Sequence, residues 1–155
     1  MSNIHLMLKL PFPPSVNGLF TNQSGGKKRV KTTKYNQWCK FATECLKEQR
    51  TVNFKGKTVI LIGLDKPDNR IRDCQNYVKP ITDLLVDFGI LQDDSLIQFD
   101  SSYWTGRQGF QAQVDVYSAQ YDNTSLYLAH KIHSLLLSPL LEQDISTYCN
   151  TFSQK

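Results

Sequence analysis

The sequence predicts an α/β protein of the α+β type, with a small mixed sheet of about four strands, two main helices packed on it and a helical C-terminal extension. Three observations predict this fold. Four short runs have the apolar patterning of strands, two longer stretches have helical periodicity, and leucines recur at helical spacing near the C-terminus. The chain has 155 residues, of which 40% are hydrophobic and 21% charged. This composition excludes a disordered chain and a membrane protein, and the length suits one domain with a substantial core.

The first half of the chain predicts a strand, a basic loop and a helix. Residues 4–10 alternate apolar and polar side chains as a half-buried strand does, and prolines at 11, 13 and 14 end the run. Residues 21–34 are polar, contain glycine and end in a cluster of lysine and arginine, which predicts a flexible basic loop. Aromatic and small residues then recur at helical spacing, so we predict an amphipathic helix over Thr33 to Arg50.

The second half predicts three strands, one helix and the extension. Residues 58–64 form an interior strand followed by a turn over 65–69. Residues 73–88 have a helical pattern in which Pro80 places the regular helix start near 76–79, and Gly89 ends it. Two strands follow at 96–104 and 110–117, joined by residues 105–109, and Phe110, Ala112, Val114 and Val116 mark a buried face. Residues 118–155 are predicted to be helical and to be either a further core layer or a partner-binding element.

The charges divide unevenly along the chain. Residues 1–79 carry 15 Lys or Arg against 5 Asp or Glu, whereas residues 80–155 carry 3 against 9. A basic and an acidic half indicate a polyanionic partner, with a cation between them, although charges can also scatter by chance. No signal peptide or membrane span is recognisable, and the four cysteines show no metal-binding spacing. We therefore expect reduced cysteines and a cytoplasmic location, in a bacterium or in the host of a phage.

One stretch of the second predicted helix carries the pattern that suggests chemistry. On an ideal helix its polar residues fall within a third of the circumference, opposite the apolar ones: Asp73, Asn76, Lys79, Asp83 and Asp87. Asp93 and Asp94 follow after a glycine turn. Clustered carboxylates suit Mg²⁺ or Mn²⁺, which can promote phosphate hydrolysis, and a nearby lysine can stabilise the developing charge. The alternative is a solvated helix face with ordinary ion pairs.

Three motifs in this order resemble the RusA family of Holliday-junction resolvases, which are small bacterial and prophage endonucleases. The motifs are Pro13-Pro14-Ser15-Val16-Asn17, then Arg72-Asp73-x-x-Asn76-x-x-Lys79-x-x-x-Asp83, then Gly89-Ile90-x-x-Asp93-Asp94-Ser95. The resemblance covers about residues 4–117, so residues 1–117 are expected to form the nuclease domain and residues 118–155 the extension. It implies a homodimer that binds four-way branched DNA and cuts paired strands with Mg²⁺, or Mn²⁺, in recombination and repair.

The resemblance also assigns residues to roles. It implies that Asp73 and Asp94 are catalytic metal ligands, that Lys79 is catalytic, and that Asn76 and Asp83 occupy frequent motif positions. The family pattern has a second aspartate where this chain has Gln75. Glutamine offers a neutral carbonyl as a ligand, so metal affinity is expected to fall, with Asp83, Asp93 or a water compensating.

Basic residues near the motif fit a DNA partner. The predicted phosphate contacts lie in the loop and beside the site: Lys27, Lys28, Arg29, Lys31, Lys34, Arg70 and Arg72, with Asn76 as a further DNA contact. Phe20 could wedge between base steps, but a packing role is the stronger interpretation. Two other functions stay open, namely a junction-binding protein that cuts weakly or not at all because of Gln75, and a small phosphohydrolase with a substrate other than DNA.

Overall fold

A computed structural model of the chain describes residues 4–22 and 28–119. Six strands and two helices are present there, in the order β1 (His5–Pro11), β2 (Phe20–Asn22), β3 (Arg29–Lys31), α1 (Thr33–Lys47), β4 (Thr58–Lys66), α2 (Val78–Phe88), β5 (Ile97–Gln108) and β6 (Gln111–Ser118). The main sheet has the order β1-β6-β4-β5, and β2 pairs with β3 separately. Strands β4 and β5 are parallel, and the other pairs are antiparallel, so the predicted mixed sheet of four strands with two helices is confirmed.

The core lies between the helices and one face of the sheet. Alternate side chains of β1, β4 and β6 point into it, and they are almost fully buried: Leu6, Leu8, Leu10, Ile60, Ile62, Leu64, Ala112, Val114 and Val116. Helix α1 contributes the predicted stripe through Tyr35, Trp38, Ala42 and Leu46. The Thr32 hydroxyl caps this helix by accepting a hydrogen bond from the Tyr35 amide at 3.2 Å, which fixes the start that the sequence predicted.

Helix α2 begins where proline allows it. A 3₁₀ turn over Cys74–Tyr77 precedes α2, and Pro80 lies in the first turn of the α-helix, where its missing amide costs no hydrogen bond. Gly89 ends the helix in the left-handed conformation, with φ of +84°. Both boundaries agree with the prediction. The chain then returns through Asp94, which opens a short 3₁₀ turn before β5.

Several predicted boundaries were wrong. Strand β4 continues through Lys66, so Asp65 lies inside a strand and not in a turn. Strand β5 runs to Gln108, which leaves two residues between β5 and β6, and β4 lies between these two strands in the sheet. Phe110 is 72% exposed and does not belong to the buried face of β6. The predicted loop over 21–34 includes β2 and β3.

The C-terminal extension and the tip of the basic loop lie outside the described residues. The proposed helices of the extension, and the division at residue 117, therefore stay predictions. Cys39, Cys45 and Cys74 are free thiols among the described residues. Within residues 4–22 and 28–119, no helix is long and apolar enough to cross a membrane.

Candidate active site

Lys79 lies in the first turn of α2 and faces two carboxylates. Its ammonium donates a hydrogen bond to Asp83 Oδ1 at 2.6 Å, one helical turn along, and lies 3.6 Å from Asp94 Oδ2. The hydrogen bond to Asp83 is the largest effect and raises the pKa of Lys79 above its usual value. Desolvation opposes this shift, and the charges of Asp83 and Asp94 add to it. Asp83 follows Lys79 by 4 positions and Asp94 follows Asp83 by 11, and both carboxylates lie beside the Lys79 ammonium.

Asp94 is held by a turn that its neighbour caps. The Asp93 carboxylate accepts a hydrogen bond from the Ser95 amide at 2.9 Å, and bonding to Ser95 holds the pKa of Asp93 below its usual value. Asp93 is therefore engaged in closing the turn. The Asp94 side chain keeps 55% of its surface exposed and points toward Lys79. Of the two adjacent aspartates, Asp94 is the one that lies beside Lys79.

Asp73 caps the 3₁₀ turn that precedes α2. Its Oδ1 accepts a hydrogen bond from the Gln75 amide at 3.0 Å. The turn is anchored because Tyr77 is buried, with ring centres 4.9 Å from Phe12 and 6.0 Å from Trp104. The prediction that Asp73 and Asn76 share a regular helix face with Lys79 was wrong, since α2 begins at Val78. Asp73 and Gln75 are both exposed at the surface of this turn.

An acidic cleft opens beside Lys79. It is lined by Asp83, Val86 and Asp87 of α2, by Asp94, and by Lys31 from β3. The Lys31 ammonium lies 3.8 Å from Asp87 Oδ2 and 5.3 Å from the centre of the Tyr35 ring. The sequence predicted Lys31 as a loop residue that contacts DNA, and it did not indicate this position. The pairing of β3 with β2 and the packing of Tyr35 create it.

Other predicted DNA-binding residues have different surroundings. Arg72 forms a two-pronged ion pair with Asp68, whose second contact, from Nη2 to Oδ2, measures 2.7 Å. This pairing holds the pKa of Asp68 well below its usual range. Arg70 is 83% exposed at its side chain and lies 3.9 Å from Asp68. Arg72 is thus engaged within the chain, whereas Arg70 remains open to a ligand.

The basic hairpin keeps its charges at the surface. Lys28, Arg29 and Lys34 are exposed, and the Arg29 guanidinium lies 5.2 Å from the centre of the Phe20 ring. Phe20 also packs edge-on against Tyr35, at 6.2 Å between ring centres, which supports its packing role. Lys27 lies outside the described residues. Asn76 is half-buried, and its backbone amide closes the turn on Asp73.

The site offers oxygen donors of the kind that a divalent cation binds. Among the described residues no three His, Cys, Asp or Glu side chains gather closely enough to hold a metal by themselves. Mg²⁺ does not require such a cage, because it commonly uses one or two carboxylates, water and the phosphate oxygens of a substrate. Asp94 beside Lys79 and Asp73 in the turn before α2 each have an exposed carboxylate that could supply one such ligand, and the structure shows no contact between these two carboxylates among the described residues.

A comparison with protein families gave one match. The family model described as endodeoxyribonuclease RusA matches residues 11–116, which include Asp73, Lys79, Asp83 and Asp94. No curated protein matches the chain.

Proposed function

The chain belongs to the RusA family of endodeoxyribonucleases, and from this premise we propose that it resolves Holliday junctions in DNA recombination and repair. Its substrate is four-way branched DNA, and the reaction is hydrolysis of a phosphodiester in each of two paired strands. The observation that carries the proposal is the position of Lys79, whose ammonium contacts Asp83 and Asp94, two of the residues that line the acidic cleft.

Lys79 is the residue that stabilises the charge building up on the phosphate. A lysine beside carboxylates stays protonated, because they stabilise its charged form and raise its pKa. A protonated ammonium can donate to a phosphate oxygen as negative charge accumulates there. Asp83 holds the side chain in place through the 2.6 Å hydrogen bond, so it acts as a positioning residue for Lys79.

Asp73 and Asp94 would hold Mg²⁺ or Mn²⁺, with Asp83 and the Gln75 carbonyl as further ligands. When bound, the cation would supply charge stabilisation for the phosphate and orient the attacking water. Gln75 gives the site one negative charge fewer than an aspartate would. The carboxylates of Asp73, Asp83 and Asp94 must therefore contribute more of the affinity for the cation. Because of Gln75, the alternative to be tested is that the protein binds junctions without cleaving them.

The DNA is expected to follow the basic residues beside the site. Lys31 reaches the cleft from β3, and the exposed Lys28, Arg29, Lys34 and Arg70 can contact phosphates on either side, with Lys27 adding to them. We propose that two copies act together as a homodimer, because two symmetric cuts need two sites. The expected cytoplasmic location accords with a DNA substrate.

The first experiment measures cutting of a labelled synthetic four-way junction with EDTA, with Mg²⁺ and with Mn²⁺. Metal-dependent cuts in paired strands are expected for the wild-type protein, and Asp94→Asn should abolish them while junction binding persists. Asp100→Asn, which alters an exposed aspartate of β5, is the matched control and should cut normally. Binding without metal-dependent cuts would overturn the nuclease proposal, and the absence of both would overturn the junction-binding one.

The second experiment tests Gln75 by a measurement that does not depend on cutting. Calorimetric titration with Mn²⁺ should give a lower Kd for Gln75→Asp than for the wild-type protein, because a carboxylate replaces a neutral carbonyl. Gln37→Asp adds the same charge to the exposed surface of α1 and should leave the Kd unchanged. An unchanged Kd for Gln75→Asp would remove Gln75 from the ligand set.

A further inference from the structure

A buried carboxylate lies at the end of β4, away from the acidic cleft. The Asp65 side chain is 10% exposed, which is unusual for an aspartate because burial disfavours its charge. Its Oδ1 accepts hydrogen bonds from the Thr105 hydroxyl at 2.6 Å and from Arg107 Nε at 3.1 Å. Both partners belong to β5, so Asp65 joins the ends of the two parallel strands.

Arg107 uses only part of its guanidinium in this contact. Its side chain is 65% exposed, and Nε is the donor that bonds to Asp65. Within the described part of the chain, no hydrogen bond involves its Nη1 or Nη2. A guanidinium fixed at one edge by a buried carboxylate presents its other donors in a set orientation, which suits the paired oxygens of a phosphate.

The backbone at Gly109 packs closely against the Asp65 side chain. A Cβ at Gly109 would lie 3.0 Å from Asp65 Oδ2, so the position leaves room only for glycine without a shift. The Gly109 amide donates to the Lys66 carbonyl at 3.0 Å, and the Gln108 side chain donates to Asn69 Oδ1 at 3.1 Å. These contacts hold the segment after Arg107 against residues 66–69, next to the exposed Arg70.

We propose that Arg107, positioned by Asp65, binds a phosphate of the DNA backbone at the ends of β4 and β5. The inference rests on the proposed DNA substrate and adds a phosphate contact outside the acidic cleft. Arg107 is the only Lys or Arg in the sequence between Lys79 and Lys131, a stretch that is otherwise acidic. The carboxylate reduces the attraction for an anion, but it also reduces the entropy lost when the arginine is ordered.

The experiment measures junction affinity in EDTA, where the DNA remains intact, over a series of salt concentrations. Arg107→Gln should weaken binding roughly tenfold, as expected for one charge-assisted contact, and lower the slope of log Kd against log salt by about one. Arg107→Lys keeps the charge but cannot bond to Asp65 and a phosphate in the same way, so binding should weaken while most of the slope is kept.

Two controls separate phosphate binding from a purely structural role. Thr105→Val removes the other hydrogen bond to Asp65 and the one that the Thr105 hydroxyl accepts from the Arg107 amide. It leaves the contact of Arg107 Nε with Asp65 and every positive charge in place, so it should lower the Tm without weakening binding. Arg50→Gln removes one exposed charge after α1 and should have little effect on affinity or slope. Thermal unfolding of each variant verifies that it is folded at the assay temperature.

The possible results have distinct meanings. Weaker binding of Arg107→Gln with a reduced slope, together with normal binding of Thr105→Val, supports the site. Normal binding of Arg107→Gln overturns it, as does equal weakening by Arg107→Gln and Thr105→Val, since a structural change would then explain both. If the wild-type protein itself binds neither junction nor duplex DNA, the proposed function fails, and the phosphate site fails with it.

Discussion

Lys79 is the single residue on which the most contacts of the candidate active site converge. Substitution by glutamine removes the charge while keeping a side chain that can donate a hydrogen bond. Lys79→Gln should lower the single-turnover rate of junction cleavage roughly 100-fold or more, because a preorganised donor to the developing charge is lost. Binding of the junction in EDTA should change far less.

The matched control for this substitution is Lys40→Gln, which removes the same charge from the exposed surface of α1. Its cleavage rate should stay close to that of the wild-type protein. Cleavage by Lys79→Gln at the wild-type rate would contradict the role given to the ammonium, provided that both variants have cooperative thermal unfolding.

The ion pair of Asp68 with Arg72 predicts a defined pH dependence of stability. Because pairing lowers the pKa of Asp68 in the folded protein, its stabilising contribution is full above the unfolded value of about 3.9 and disappears as the pH falls through the lowered value. Asp68→Asn should lower the Tm by roughly 1–3 °C, equally at pH 7 and pH 5, since a partly exposed pair contributes little. The difference should shrink below about pH 4.

Differential scanning calorimetry across this pH range provides the measurement. Asp100→Asn, at an exposed position of β5, is the control and should leave the Tm nearly unchanged throughout. A Tm difference for Asp68→Asn that stayed constant down to pH 2 would show that the effect does not come from ionisation of Asp68.

At the residue scale, spacing in the sequence identified some contacts and could not identify others. Lys79 and Asp83 are four apart on a helix, so their contact follows from helical geometry. Asp94 reaches Lys79 because the chain turns back at Gly89. The glycine in the sequence indicated this turn, but it did not predict the distance between Asp94 and Lys79. Asp65 was assigned to a turn because residues 65–69 are rich in aspartate, asparagine and proline, which are typical of turns. Its burial depends on two partners some forty residues away.

Among the elements, α2 depends on the left-handed residue that ends it. Gly89 has φ of +84°, a conformation that strains any residue with a Cβ, although no heavy atom would contact a Cβ there. Gly89→Ala should therefore lower the free energy of unfolding by about 1 kcal/mol, measured by denaturant titration. The same turn carries the chain from Lys79 to Asp94, so a loss of cleavage is expected as well.

Gly18→Ala is the control for this backbone effect. Gly18 lies in a 3₁₀ turn, it is not among the glycines with positive φ, and a Cβ there would contact no heavy atom within 4 Å. Its free energy of unfolding should stay within about 0.5 kcal/mol of the wild-type value. Equal effects of the two substitutions would contradict the conformational explanation.

The elements themselves were largely predictable, whereas their arrangement was not. Thr32 as cap, Pro80 in a first turn and Gly89 as a stop are local signals, and both helices begin close to the predicted positions. The position of β4 between β5 and β6 is set by pairing between distant residues, on which local pattern carries no information. Phe110 is exposed because it lies in the two-residue connection between β5 and β6, outside both strands.

For the whole molecule, the uneven charge along the sequence acquires a spatial meaning. The basic β2–β3 hairpin and the acidic face of α2 meet where Lys31 lies 3.8 Å from Asp87. The basic half of the sequence, residues 1–79, contains Asp73, and the acidic half contains Asp94, so the acidic residues of the site come from both halves. The local feature is thus an acidic cleft bordered by basic side chains, an arrangement that suits a cation and a polyanion together.

Symmetric cutting sets a requirement on the assembly. One described protomer contributes one Lys79 and one cleft, whereas resolution of a four-way junction requires two strands to be cut. We expect a homodimer, with a mass in sedimentation equilibrium of twice the 17.8 kDa of one chain. On a supercoiled plasmid that extrudes a cruciform, two cuts within one bound complex yield a linear product.

Mixed dimers test this requirement directly. When wild-type protein and Asp94→Asn exchange subunits, each mixed dimer holds one competent site, so nicked circles should accumulate at the expense of linear product. A protein acting as independent monomers would instead be diluted by Asp94→Asn, with the ratio of nicked to linear product set by total active enzyme alone. The ratio measured at constant wild-type concentration distinguishes these cases, because only physical pairing of an active with an inactive site increases nicking at that concentration.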